Sequence, residues 1–288
     1  MILLQVIVGG LLLGAVYALF SSGLTLIWGM MNVINFAHGE FVMIGMYVAF
    51  VVVTYLHGGP LLFGPTAAIL LFLLGLVVYL GLIRHIMRGP MIAQILSTFG
   101  LALLLRYSAF WIFSANFKTL PDDIIPGTLN IGGILLGMPQ LVAGAVALAL
   151  TIGMHLTLTR TAIGSQLLAV AEDRQAAMLM GIRPDRMQAL AWGLSAAGAG
   201  IAGALVATFY PTSPGVGEVF ALTAFVVVTF GGFGSVPGAM IAGLLIGLIQ
   251  SLSAYYFGPV YKDVVVYALF VLILWVRPQG LMGKAAGR

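Results

Sequence analysis

Residues 1–39, 41–83, 187–217 and 219–261 contain no Asp, Glu, Lys or Arg. A soluble fold cannot cover its surface without charge. A membrane span needs roughly 20 apolar residues, so each of the two 43-residue stretches accommodates two spans. Across the whole chain only 7% of the 288 residues are charged, against about 25% in an average soluble protein. Backbone amides in lipid must be satisfied within the protein. Strands of about 10 residues with alternating polarity are not seen, so the spans are read as helices.

Nine apolar segments are expected, at 3–29, 38–56, 61–83, 91–115, 138–159, 187–209, 219–232, 236–256 and 260–276. The fold class is an all-α integral membrane protein. It is a polytopic helical bundle of about 8–9 transmembrane segments with a cytoplasmic coupling helix, in one domain spanning 1–288. Basic residues collect on the cytoplasmic side of a membrane. If the loop Arg160–Arg186 is cytoplasmic, nine of the twelve Lys and Arg are inside, including Arg84, Arg88, Arg277, Lys284 and Arg288. The N-terminus is then outside and the C-terminus inside. The first apolar run has no preceding Lys or Arg, which predicts a retained span and not a cleaved leader.

Several function classes are excluded or disfavoured. Cysteine is absent, which removes thiolate chemistry and cysteine metal sites. The net charge of +4 is spread over the loops without a basic patch, so no nucleic-acid partner is expected. There is no P-loop, no HExxH and no spacing that suggests a catalytic Ser-His-Asp set. Neither a metal nor a cofactor is expected. Small residues four apart, as in Gly10/Gly14, Ser195/Ala199/Gly203, Gly234/Gly238 and Gly243/Gly247, allow close helix approach in lipid. They suit packing within one subunit or a dimer face. The run Gly231–Met240 predicts a break or tight hairpin between the seventh and eighth segments.

Two constellations carry the functional reading. The first is the charged loop Arg160–Arg186, where Ser165–Met180 predicts one helix of about four turns, stopped by Gly181 and followed by Pro184 at the start of the next helix. Leu167, Ala171 and Met178 are expected on one side of this helix and Glu172, Asp173 and Gln175 nearer the other; it is either a solvated amphipathic connector or a helix that inserts into a cytoplasmic partner. The second is the polar cluster Asn32, Asn35, His38 and Glu40 at the cytoplasmic mouth of the second span. It reads as a cap and turn, as a lining of the translocation path, or, for His38 and Glu40, as metal ligands. Ser97 and Thr98 either line a path or bond their own helix. Arg106 lies about 22 Å into the fourth segment at helical rise; the simplest account is snorkelling to the outer surface, and attraction of a substrate carboxylate is the alternative. Glu218 closes an outer loop from Pro211; that loop and Asp122–Asp123 read by default as solvated loop, and are alternatively contacts for a binding protein.

QAAMLMG (Gln175–Gly181) resembles the EAA loop of ABC-transporter permeases, with Ala176, Ala177 and Gly181 matching and Gln175 in place of Glu. The N-terminal region Gly10–Ala49, with NFAHGEF (Asn35–Phe41) its most specific piece, is similar to LivH-type permeases of the branched-chain amino acid ABC importers. Ala171–Ile182, Phe230–Gly247 and WVRPQGLMG (Trp275–Gly283) fit the same family. The resemblance implies a multi-pass permease subunit in the bacterial inner membrane, with a LivM-type second permease, two cytoplasmic ATPase subunits and a periplasmic substrate-binding protein. ATP hydrolysis then belongs to the partners, and this chain is not an enzyme. Glu172, Asp173, Gln175, Ala176, Ala177 and Gly181 become the ATPase-coupling residues. The implied cargo is a branched-chain or related amino acid. Urea, short amides or aromatic acids are the alternatives, and a stand-alone channel or carrier is a further one.

Overall fold

The computed structural model describes residues 1–87, 89–121, 124–277 and 279–283. All nine apolar segments are helical. In chain order the elements are α1 (Ile2–Met31), α2 (His38–Leu56) and α3 (Pro60–Val78), which continues through a π-helical turn at Tyr79–Ile83 into α4 (Arg84–Ile86). Then come α5 (Met91–Phe113), the strands β1 (Thr128–Ile131) and β2 (Ile134–Gly137), and α6 (Met138–Arg160). The charged loop holds α7 (Ala162–Glu172) and α8 (Arg174–Leu179). The last helices are α9 (Pro184–Val206), α10 (Val216–Gly231), α11 (Val236–Phe257) and α12 (Lys262–Val276).

Among the described residues, seven helical stretches are long and apolar enough to cross a bilayer, with Pro60–Ile86 counted as one. The helices α10 and α12, of 16 and 15 residues, are shorter. The hairpin β1–β2 joins α5 to α6 and touches α1, and was not anticipated. Its signal is Gly132–Gly133 between apolar residues: both glycines take positive φ, the primed-turn geometry of a two-residue hairpin.

Glycine and alanine make the centre. Gly10 and Gly14 of α1 face Gly247 and Gly243 of α11 so closely that an added Cβ would overlap the opposite backbone. The same holds where Gly23 of α1 meets Ser195 of α9, and where Gly75 of α3 meets Trp192. Dispersion between closely approaching backbones, not water exclusion, holds helices together in lipid. These small-residue pairs therefore pack within the subunit.

The helix ends carrying Arg84, Arg160 and Arg174–Arg186 form one basic end of the bundle, where Arg84 approaches Asp185 at 3.9 Å. The expected break at Gly231–Met240 is also there. Gly232 and Gly234 turn the chain with positive φ, and Ser235 Oγ caps α11 by accepting from Gly238 N at 3.1 Å. The segment 279–283 is pinned to this turn through Leu281 N to Phe230 O at 2.8 Å and Met282 N to Gly231 O at 3.0 Å. Arg88, Asp122, Asp123, Pro278, Lys284 and Arg288, all used in the sequence reading, lie outside the described residues.

Candidate functional site

The charged loop folds as an elbow, not as the single helix predicted for Ser165–Met180. Asp173 leaves the helical region (φ −149°, ψ 107°) and ends α7. Its Oδ1 then accepts from Gln175 N at 2.8 Å and Ala176 N at 3.0 Å and starts α8. A short carboxylate that satisfies two otherwise unpaired helix N–H groups makes a favoured cap. Asp173, predicted as a coupling residue, is placed as the hinge of the elbow.

The break also corrects the faces. Leu167, Val170 and Ala177 are buried against Leu26 and Met30 of α1, Ala191 of α9 and Val236 of α11. Ala177 is therefore a seating residue, not part of the outer surface, and Met178 does not share a face with Leu167. Glu172, Gln175 and Ala176 are exposed. Beyond them Met178, Leu179 and Met180 form an exposed apolar tip, with Leu179 89% accessible. Gly181 ends the turn with φ +81° as expected, Ile182 N reaches back to Ala177 O at 3.0 Å, and Pro184 opens α9. Arg174 ties α8 to the first turn of α9 through Asp185 at 3.0 Å.

The second constellation lies deeper than predicted. Asn32 takes the left-handed conformation (φ 52°) and its N–H closes α1 on Trp28 O at 2.8 Å. The chain then turns back without helix to His38, whose Nε2 donates to Phe20 O at 2.7 Å. Phe20 is 11 residues from the basic end of α1, about 16 Å at helical rise and within about 5 Å of the middle of that helix. So α2 starts inside the bundle, not at its mouth. Non-helical backbone at such depth is tolerated only where protein or a cavity covers it. Here Asn35 Oδ1 accepts from Ala37 N at 3.1 Å, and Thr98 Oγ1 of α5 reaches Ile34 O at 3.0 Å.

The cap-and-turn reading thus fits Asn32 and Asn35, at a different depth. Thr98 is buried and within reach of its own helix carbonyls Gln94 O and Ile95 O, both at 3.1 Å; it fastens the segment. Ser97 is half-buried beside it. Asn32 is exposed and shares a cavity of about 810 Å³ at the basic end with Trp28, His155, Glu172 and Phe233.

Arg106 does not snorkel. Its Nε and Nη2 donate to Glu40 Oε1 at 3.0 and 2.7 Å, and its Nη1 donates to Glu218 Oε2 at 2.9 Å. Glu218 is correspondingly not the end of a loop but the third residue of α10. Glu40 is likewise the third residue of α2, and a glycine precedes each. Gly39 and Gly217 lie in contact: a Cβ on Gly39 would overlap Gly217 O, and one on Gly217 would overlap the Glu40 carboxylate. Two helices that begin x-Gly-Glu therefore start side by side within the membrane, and one arginine bridges them. Glu40 is 1% exposed and Glu218 64%. Arg106 and Glu218 were not among the predicted path residues. The available signals were the lone charge between residues 89 and 117 and the repeated Gly-Glu at 39–40 and 217–218.

At the end opposite the basic one, a cavity of about 510 Å³ is lined by Tyr17, Gln250, Lys262 and Asp263, with Val219 and Phe220 directly after Glu218. Tyr17 donates to Gln250 at 2.5 Å, and Gln250 donates to Asp263 at 2.6 Å.

Residues 6–274 match the family described as branched-chain amino acid transport system / permease component. The chain is similar to the high-affinity branched-chain amino acid transport system permease protein BraD of Pseudomonas aeruginosa, at 32% identity over 98% of this chain and 96% of that protein. It is also similar to the LivH permease of the corresponding Escherichia coli system, at 32% over 98% and 96%. A probable branched-chain amino acid transport permease LivH of Methanocaldococcus jannaschii is 29% identical over 97% and 92%. No solved structure matches.

Proposed function

The chain belongs to the permease components of branched-chain amino acid transport systems, and we propose that it forms one half of the membrane channel of an ATP-driven importer for branched-chain or related amino acids in the bacterial inner membrane. The similarity to BraD and LivH over nearly the full length of both chains carries this reading. A LivM-type permease is the other half. Two ATPase subunits dock at the basic end, and a periplasmic binding protein delivers the amino acid. Hydrolysis takes place on the ATPases.

The elbow suits a mechanical input. Its exposed tip Met178–Met180 and the polar Glu172, Gln175 and Ala176 meet the ATPase, while Leu167, Val170 and Ala177 seat it on α1, α9 and α11. A push on α8 passes to α9 through Arg174–Asp185 and the short Gly181–Arg183 link. In turn α9 touches α2 where Gly200 meets Gly45 and Gly203 meets Val42. Packed small residues leave no slack to absorb such a displacement. The movement therefore arrives at the start of α2, where Glu40 holds Arg106.

Co-expression with the neighbouring genes and purification in detergent tests this. Recovery of two nucleotide-binding subunits and a second permease, with leucine uptake after reconstitution, is the expected result. A chain that purifies alone and folded, and that transports without ATP, overturns it.

A further inference from the structure

The Arg106–Glu218 pair lies level with the start of α2, near the middle of α1, yet Glu218 is 64% accessible and Arg106 20%. A charge facing hydrocarbon at that depth is strongly disfavoured, so this face of α5 and α10 does not meet lipid. Its donor set is partly used. Of the five N–H groups of Arg106, two bind the buried Glu40 and one binds Glu218. The other two, and Oε1 of Glu218, have no partner among the described residues. Glu40 is locked between Arg106 and the Gly217 backbone and fixes the guanidinium from behind. One turn toward the outer end of α5, Phe110 shares the face of Arg106 by the i, i+4 rule; one turn toward the basic end of α10, Leu222 shares the face of Glu218, and both are exposed.

We propose that Arg106 and Glu218 form a binding site for a zwitterionic α-amino acid on the water-filled path: Arg106 takes the carboxylate, Glu218 takes the ammonium, and Phe110 borders the side chain. Without ligand the two ends satisfy each other. The arriving carboxylate replaces Glu218 on the outer N–H groups of Arg106, and the released Glu218 pairs with the ammonium. Charge is conserved through the exchange, which suits a site that must also release its cargo. Glu40 is a positioning residue. The proposal rests on the amino acid import reading above.

The chain has no cysteine, so Leu222→Cys introduces a single thiol beside the site without altering the triad. In the full complex in membrane vesicles, a membrane-impermeant sulfonated thiol reagent is expected to label it. Leucine at about ten times its half-saturating level should slow labelling by roughly tenfold by mass action. The decarboxylated amine of leucine and its deaminated acid should each protect far less at the same concentration. Glu218→Gln or Arg106→Lys should abolish the protection while Leu222→Cys stays labelled. Absence of labelling, or leucine protection that both variants retain, overturns the site. Loss of leucine uptake by the unsubstituted complex would instead sink the functional reading, and wild-type uptake measured alongside separates the two failures.

Discussion

The helices α9 and α5 have the same length, 23 residues, and opposite surroundings. In its most apolar window α9 is 67% buried, and α5 only 17%. Ala and Gly dominate α9 from Ala189 to Ala204, and it touches α1, α2 and α3 backbone to backbone. Along its outer face α5 carries Phe99, Leu104, Tyr107, Trp111 and Ile112, all exposed. It is held by a few directional ties instead: Thr98 to Ile34 O, Arg106 to Glu40 and Glu218, and the stacked rings of Tyr47 and Phe113, 4.1 Å apart. One helix is a spine fixed by close contact. The other is attached at points, with a broad face left for lipid, path or a second subunit.

The contrast is sharpest at glycine. Gly203→Leu in α9 would drive a side chain into the Val42 carbonyl of α2, whereas Gly100 in α5 has open space around it. We expect Gly203→Leu to abolish the monodisperse species in fluorescence-detected size exclusion, and Gly100→Leu to leave it intact. Equal tolerance of both would break the comparison.

A smaller effect is expected at the arginine. Removing one partner of a buried pair costs about 3–5 kcal/mol because the other charge is stranded. Arg106→Ala should therefore lower the thermal midpoint in detergent, and adding Glu40→Gln should recover much of the loss. Glu218→Gln, at the exposed end, should cost no more than about 1 kcal/mol. A larger loss from Glu218→Gln than from Arg106→Ala would reverse the assigned roles.

At the elbow, Ala177→Asp would bury a carboxylate among Leu26, Leu167 and Val236, at about 1–3 kcal/mol or more. It should unseat α8 and lose uptake while the chain still inserts. Leu179→Asp, on the exposed tip, should leave the thermal midpoint unchanged and reduce recovery of the ATPases. Normal transport by both variants would remove the coupling role. Last, Thr98→Val should cost about 1 kcal/mol, read as a small drop in the same melting assay.

Much of the fold was legible because apolar length and charge spacing translate directly into helices that span. The nine segments, the turn at Gly232–Gly234, the stop at Gly181 and the start at Pro184 all follow from local chemistry. The candidate site was legible only in part. Asn35, His38 and Glu40 stood out as polar residues in an apolar block, but their depth depends on where the chain goes after Met31. Nothing local in Asn32–Ala37 says that it climbs back along α1. The break at Asp173 was missed because Glu-Asp-Arg reads equally well inside an exposed helix.

The sequence by itself determined a helical membrane protein with one charged loop at a basic end. Those features depend on composition and near-neighbour spacing, which lipid and water act on directly. Only the tertiary structure decided that Glu40 and Glu218, 178 positions apart, converge on Arg106. An ion pair at that depth depends on which helices start beside one another, and here the contact of Gly39 with Gly217 sets that, because only two residues without Cβ allow the two backbones to come so close.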